Sequence, residues 1–218
     1  NTAHRTTDAA SSTAHKWSSI CRPVRRDRCC FIHCTQMEPH ETEGLARSGA
    51  VAGLCPITES SLGDGVFDGV RWFDNAGTIA IGSDSNIRIS LTEELRTLEY
   101  SQRLRDHSRA ALATAEKSTG RLLLEAVNTG GAKAAGRNTG TIAKGRLADL
   151  FALDSNSLHL AGRQGDMILD SLIFAGDDRM ISDVWSAGRH RVRGGRHVDR
   201  EAIVSRYLRT IEEIGGAI

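Results

Sequence analysis

Three side chains that can move protons or bind metal stand at the ends of three short apolar runs. His33 follows "CCFI", Cys55 follows "AVAGL", and Asp84 follows "TIAIGS". An imidazole changes charge near neutrality, and a carboxylate is both a proton acceptor and a metal ligand. If the runs are parallel strands, their carboxyl ends share one rim, where the active sites of such sheets collect. His33 and Asp84 there could share a metal or divide proton transfers between them. The segment "CPITESSLGDG" (55–65) reads as a Gly-rich polar loop on the same rim, with Glu59 and Asp64 available to a ligand. Turn formation is the competing account of these acids, Asp84 included, and a structural histidine is the competing account of His33.

Two further clusters carry less weight. "CCFIHC" invites a zinc reading with Cys30, His33 and Cys34 as ligands, but alternation along a strand sends His33 and Cys34 to opposite faces. "RHRVRGGRHVDR" (189–200) looks like a basic nucleic-acid patch, and a hairpin turning at Gly194 and Gly195 with solvated arginines explains it better.

The elements that must position these groups alternate along the first part of the chain. Strand-like runs cover 29–35, 50–56 and 78–84, with helical spacing over 42–50, ended by Gly49, and over 65–77, ended by Gly77. Strand, helix, strand at this spacing predicts βαβ units and a parallel sheet. A long amphipathic helix follows over 90–108, capped by Ser90 or Thr92 with Glu93 and Glu94 in its first turn. A second helical stretch spans 109–131, broken near Gly120 and stopped by Gly130 and Gly131. After residue 138 the pattern turns to short strands at 139–154, 167–176, 180–192 and 194–198, and a closing helix covers 200–214.

The chain has 218 residues, 25% of them charged, and a formal net charge of +1, which gives no general pull toward nucleic acid or anionic membrane. No apolar run approaches the roughly 20 residues that span a bilayer. The five cysteines, Cys21, Cys29, Cys30, Cys34 and Cys55, are odd in number and crowd the first quarter, which fits a reduced cytoplasmic setting better than a disulfide framework. Residues 1–28 show no sustained period and are read as an unassigned leader, disordered or non-native.

The stretch "IHCTQMEPHETEGLARSGAVAGLCPITESSLGDGVF" (32–67), then "IGSDSN" and "EELRTLEYSQRLRD" (93–106), resembles the amidohydrolase superfamily, and within it deiminases that hydrolyse a formimidoyl C–N bond. "GTIAKGRLADLFALD" (140–154) and "VWSAGRHRVRGGRH" (184–197) are similar to the segment with which these enzymes return to a small β-sandwich. The resemblance implies an α/β fold: the last three βα units of a (β/α)₈ barrel over 29–138, a β-sandwich portion over 139–199 and a terminal helix over 200–218.

By position, His33 matches the histidine ending the sixth barrel strand, which orients and protonates during attack. Asp84 matches the eighth-strand aspartate, which binds zinc and accepts a proton from the attacking water. The resemblance thus implies one divalent zinc, a small-molecule substrate, no nucleic-acid or membrane partner, and a homodimer in full-length relatives. Substrate-contacting residues stay unassigned. The family also uses a His-x-His and a His-x-x-Glu motif; neither occurs here, and His4 and His15 have the wrong spacing to replace them. Ser61 stands where the family usually has Asn. The metal site is therefore expected to be incomplete and the chain inactive alone. A guanine-type aminohydrolase and a non-catalytic remnant are the alternatives.

Overall fold

The computed structural model describes residues 26–86 and 88–216. The expected leader over 1–28 lies outside them except for Arg26–Arg28, which form a single 3₁₀ turn. Strands β1 (Cys30–Ile32), β2 (Val51–Leu54) and β3 (Thr78–Ile81) form a parallel sheet in that order. Cys30 pairs with Val51, and Val51 with Thr78, so the three predicted strands are parallel neighbours. The middle strand is buried along its whole length, which is why it reads as a continuous apolar run. Gly53 is needed there: a Cβ would stand 2.9 Å from both Cys30 Sγ and Ile32 Cδ1.

Helix α1 (Pro39–Arg47) crosses from β1 to β2, and the chain turns behind it at Gly49, φ +77°. Two short helices, α2 (Pro56–Leu62) and α3 (Gly69–Asp74), connect β2 to β3. The segment expected as a loop is thus largely helix α2. Pro56 supplies the fixed φ of a first helical turn, and Gly63 closes the helix in the left-handed region at φ +74°. Helix α3 is shorter than its predicted span, and the left-handed stop falls on Ala76 (φ +56°) rather than Gly77. Gly77 instead lets the Trp72 indole approach; a Cβ would meet Nε1 at 2.3 Å.

Helix α4 (Leu91–Asp106) is capped by Ser90, whose hydroxyl accepts from the Glu93 N–H. Thr92, the other candidate cap, is inside the helix, and its N–H donates to Asp178 Oδ1. Helix α5 (Thr119–Ala134) corrects two expectations: it begins only at Thr119, and it runs unbroken through Gly120, Gly130 and Gly131. Gly120 and Gly130 are close-approach positions rather than stops. A Cβ on Gly120 would reach the Asp170 backbone at 2.7 Å, and one on Gly130 would reach the Ile79 carbonyl at 1.8 Å. The core lies between sheet and helices, joining Leu54, Trp72, Ile79, Leu95, Leu98, Leu123, Leu172 and Ile173, all at most 2% exposed.

The later strands, β4 (Leu150–Leu153), β5 (Ile181–Ser186), β6 (Arg189–Arg193) and β7 (Arg196–His197), make a separate antiparallel sheet in sequence order. The β6–β7 hairpin turns at Gly194 and Gly195, both at positive φ, as predicted. The strand expected over 167–176 is instead helix α6 (Asp166–Asp170) continued by a π turn, Ser171–Ala175. Its apolar residues Leu169, Leu172 and Ile173 have helical spacing, and the Arg96 guanidinium donates to the Ile173 and Gly176 carbonyls that end it. Helix α7 (Arg200–Gly215) closes the chain with Tyr207, Leu208, Ile211 and Ile214 exposed. Neither sheet closes on itself, and no helix of the described residues is long and apolar enough to cross a membrane.

Candidate metal and proton-transfer site

The sheet ladder ends just before the chemistry begins. His33 N–H still donates to the Gly53 carbonyl at 2.8 Å, and Gly82 N–H to the Leu54 carbonyl at 2.9 Å. Beyond those bonds the backbone leaves the extended region. His33 has φ +67°, Cys34 +55° and Asp84 +47°. Each non-glycine residue held there costs on the order of 1–2 kcal/mol, and such residues concentrate at functional sites. The turns bring His33 Nε2 to 3.7 Å from Asp84 Oδ2, an ion-pair separation beyond hydrogen-bond length. Asp84 does belong to a strand-to-loop turn, with Asn86 N–H donating to the Ser83 carbonyl. The turn accounts for its backbone, and the facing imidazole for its side chain.

The other ring nitrogen, Nδ1, lies 3.2 Å from Glu59 Oε1. That oxygen also accepts from the Cys55 N–H at 2.8 Å. The imidazole thus stands between a buried carboxylate, 5% exposed, and an open one, 40% exposed. Burial pushes the Glu59 carboxyl above the usual range, against the Cys55 N–H and His33, which stabilise its charge.

Helix α2 positions these groups through three consecutive residues. Ile57 N–H donates to Glu94 Oε2 at 2.8 Å, the Thr58 hydroxyl donates to the Ser83 carbonyl at 2.8 Å, and Glu59 meets His33. Glu94 is 1% exposed, and its Oε1 has no hydrogen-bond partner among the described residues. Burial pushes its carboxyl up to about 7, with the Glu59 and Glu93 charges adding to the shift.

The structure therefore brings His33 and Asp84 together as expected. Of the two loop acids expected on the rim, Glu59 joins them at His33 Nδ1, while the Asp64 backbone carbonyl accepts from Gln36. The sequence offered a signal for Glu59: Pro56 directly after a strand marks a helix start, and Glu59 lies one turn on from Cys55. Glu94 was expected in the first turn of this helix, as it is, and nothing in its spacing showed that it would be buried.

Strand alternation does not separate His33 from Cys34, because β1 ends at Ile32 and both residues lie in the left-handed region beyond it. The Cys34 thiol instead donates to the Phe31 carbonyl, and burial pushes it up to about 12. Donor atoms of His33, Cys55 and Glu59 do lie within 4.8 Å of one another. A metal among them would have to deprotonate a Cys55 thiol that burial pushes up to about 11. For zinc, the open Asp84 carboxylate is a suitable donor, one of the usual minimum of three.

The chain belongs to the amidohydrolase family, whose model matches residues 9–191 and so starts within the expected leader. It is 45% identical over 188 residues to the formimidoylglutamate deiminase of Pseudomonas aeruginosa, covering 86% of this chain and 42% of that protein. A crystal structure of an amidohydrolase from Brucella melitensis is similar at TM-score 0.82 and 40% identity, over 91% of this chain and 43% of that one. An adenosine deaminase from Xanthomonas campestris, whose structure holds zinc, shares the fold at TM-score 0.80 and 23% identity. The chain spans about two-fifths of the length of the first two relatives.

Proposed function

We propose that the chain carries the C-terminal portion of a metal-dependent deiminase that hydrolyses N-formimidoyl-L-glutamate to N-formyl-L-glutamate and ammonia, a step of histidine degradation. The observation that carries this reading is the approach of His33 to Asp84 at 3.7 Å across the ends of β1 and β3. The identity to the Pseudomonas enzyme supports the substrate, as do the segments "TESSLGDG" and "LEYSQRLRD". The parallel sheet is read as the last three βα units of a (β/α)₈ barrel, and the antiparallel sheet as part of a small sandwich.

Asp84 is the residue that would hold zinc, and zinc when bound would acidify water for attack on the formimidoyl carbon. The Asp84 carboxylate accepts the proton that the attacking water loses. His33 Nε2, beside it, can relay that proton to the departing nitrogen. The remaining donors would come from outside these 218 residues, in the reduced cytoplasmic setting expected for such an enzyme and its homodimer.

The test compares this chain, with zinc added, against a longer protein containing it together with strands bearing His-x-His and His-x-x-Glu. Ammonia release from N-formimidoyl-L-glutamate is expected only from the longer protein, and it should be lost in Asp84→Asn. Release from guanine but not from the formimidoyl compound would overturn the substrate. Zinc-dependent turnover by the 218-residue chain would overturn the incomplete site.

A further inference from the structure

We infer that Glu59 is a positioning residue: it fixes which nitrogen of His33 carries the proton, leaving Nε2 as the free base that faces Asp84. The chemical use of that nitrogen rests on the deiminase reading above; the geometry does not.

Glu59 is 4% exposed, yet it has no arginine or lysine partner among the described residues. Burying a carboxylate is costly unless hydrogen bonds hold it. Its partners are the Cys55 N–H, a fixed donor one helical turn away, and His33 Nδ1. The Cys55 bond fixes the direction of Oε1, so the carboxylate is itself positioned before it meets the ring. A carboxylate can only accept, so the ring must place its proton on Nδ1 to satisfy the bond. A neutral imidazole has one such proton, and Nε2 is then a lone pair. The left-handed turn at His33 presents that lone pair over the end of β2 toward Asp84.

The consequence for proton handling is definite. A free Nε2 can take a proton from the attacking water or from Asp84 and return it to the leaving nitrogen, with no net change in the ring. With the opposite tautomer, Nε2 would already be blocked and Nδ1 would face Glu59 with a lone pair. The neighbouring residues serve the same geometry: Thr58 holds Ser83, next to Asp84, so one helical turn sets both ends of the pair.

The experiment reads the tautomer directly, without substrate or metal, so its failure is distinct from a failure to release ammonia. The 218-residue chain is labelled with ¹⁵N-histidine, and the ring nitrogens are correlated with the ring C–H protons at a pH where imidazole is neutral. His33→Gln identifies its signals among the eight histidines. The expected result is His33 as the Nδ1–H form, preserved in Glu59→Gln, whose amide oxygen still accepts, and shifted toward Nε2–H in Glu59→Ala. An Nε2–H ring in the unaltered chain would overturn the inference, as would an unchanged ring in folded Glu59→Ala. If Glu59→Ala does not fold, the unaltered chain and Glu59→Gln decide: Nδ1–H in both supports the assignment, and Nε2–H in either overturns it.

Discussion

The Thr58 hydroxyl donates to the Ser83 carbonyl across 2.8 Å, tying the helix that carries Glu59 to the residue before Asp84. Thr58 is 1% exposed, so the donor end of the bond is buried. Thr58→Val keeps the shape and leaves the Ser83 carbonyl without its donor. An exposed turn would tolerate that; a buried one loses about 1–3 kcal/mol. Urea unfolding should show a lowered midpoint for Thr58→Val and near-normal stability for Thr58→Ser.

Glu94 sets a pH dependence whose sign follows from burial. Its carboxyl is raised to about 7 in the folded chain, against an ordinary value near 4.5. The folded state therefore holds a proton that the unfolded state has released between those limits. That contribution is fully present below the unfolded value and is lost as pH rises through about 7. The loss is roughly 3 kcal/mol at most. Glu59 shifts in the same direction and adds to it. Glu94→Gln should flatten the dependence of unfolding free energy on pH between 5 and 7.5; an unchanged slope would show that Glu94 is solvated.

Two adjacent glycines of α5 should respond oppositely to alanine. At Gly130 the added methyl would sit 1.8 Å from the Ile79 carbonyl, so the helix must retreat from β3. Gly131 has nothing within 4 Å of its Cβ position. Gly130→Ala should destabilise by about 1–3 kcal/mol, the usual range for overpacking. Gly131→Ala should stabilise by about 0.5–1 kcal/mol through helix propensity. Thermal melts of the two variants check both signs.

The half-buried Cys34 and buried Cys55 thiols should resist modification. Burial pushes Cys34 up to about 12 and Cys55 up to about 11, so little thiolate forms at pH 8. Brief alkylation followed by peptide mapping should mark Cys30, which is exposed, ahead of both. Rapid labelling of Cys55 in the folded chain would mean that the end of β2 is open to solvent.

The parallel strands were legible because each is a short apolar run bounded by turn residues, and Asp84 and His33 were legible because they end two of those runs. Two kinds of feature were not. Gly120 and Gly130 look like helix breakers, and only the neighbouring Asp170 and Ile79 show that they permit contact. Segment 167–176 mixes apolar residues at strand and helix spacing, and its helical choice is made by Leu172 and Ile173 burying against the core and by Arg96 capping its carbonyls. Glu94 belongs with these, since its burial depends on α2 packing across it.

His33 and Asp84 leave from β1 and β3, which among the described residues pair only with β2 and so stand about 10 Å apart. Their approach is an arch thrown over the middle strand, with Cys55 beneath its crown. One abutment is weak: β1 is three residues long, and Ile32 at its end is 57% exposed. Fraying begins at such edges, at a free energy below that of global unfolding. The arch should therefore open while the core is still intact, and the proximity of these two side chains would report the integrity of the sheet's margin sooner than any signal from Trp72.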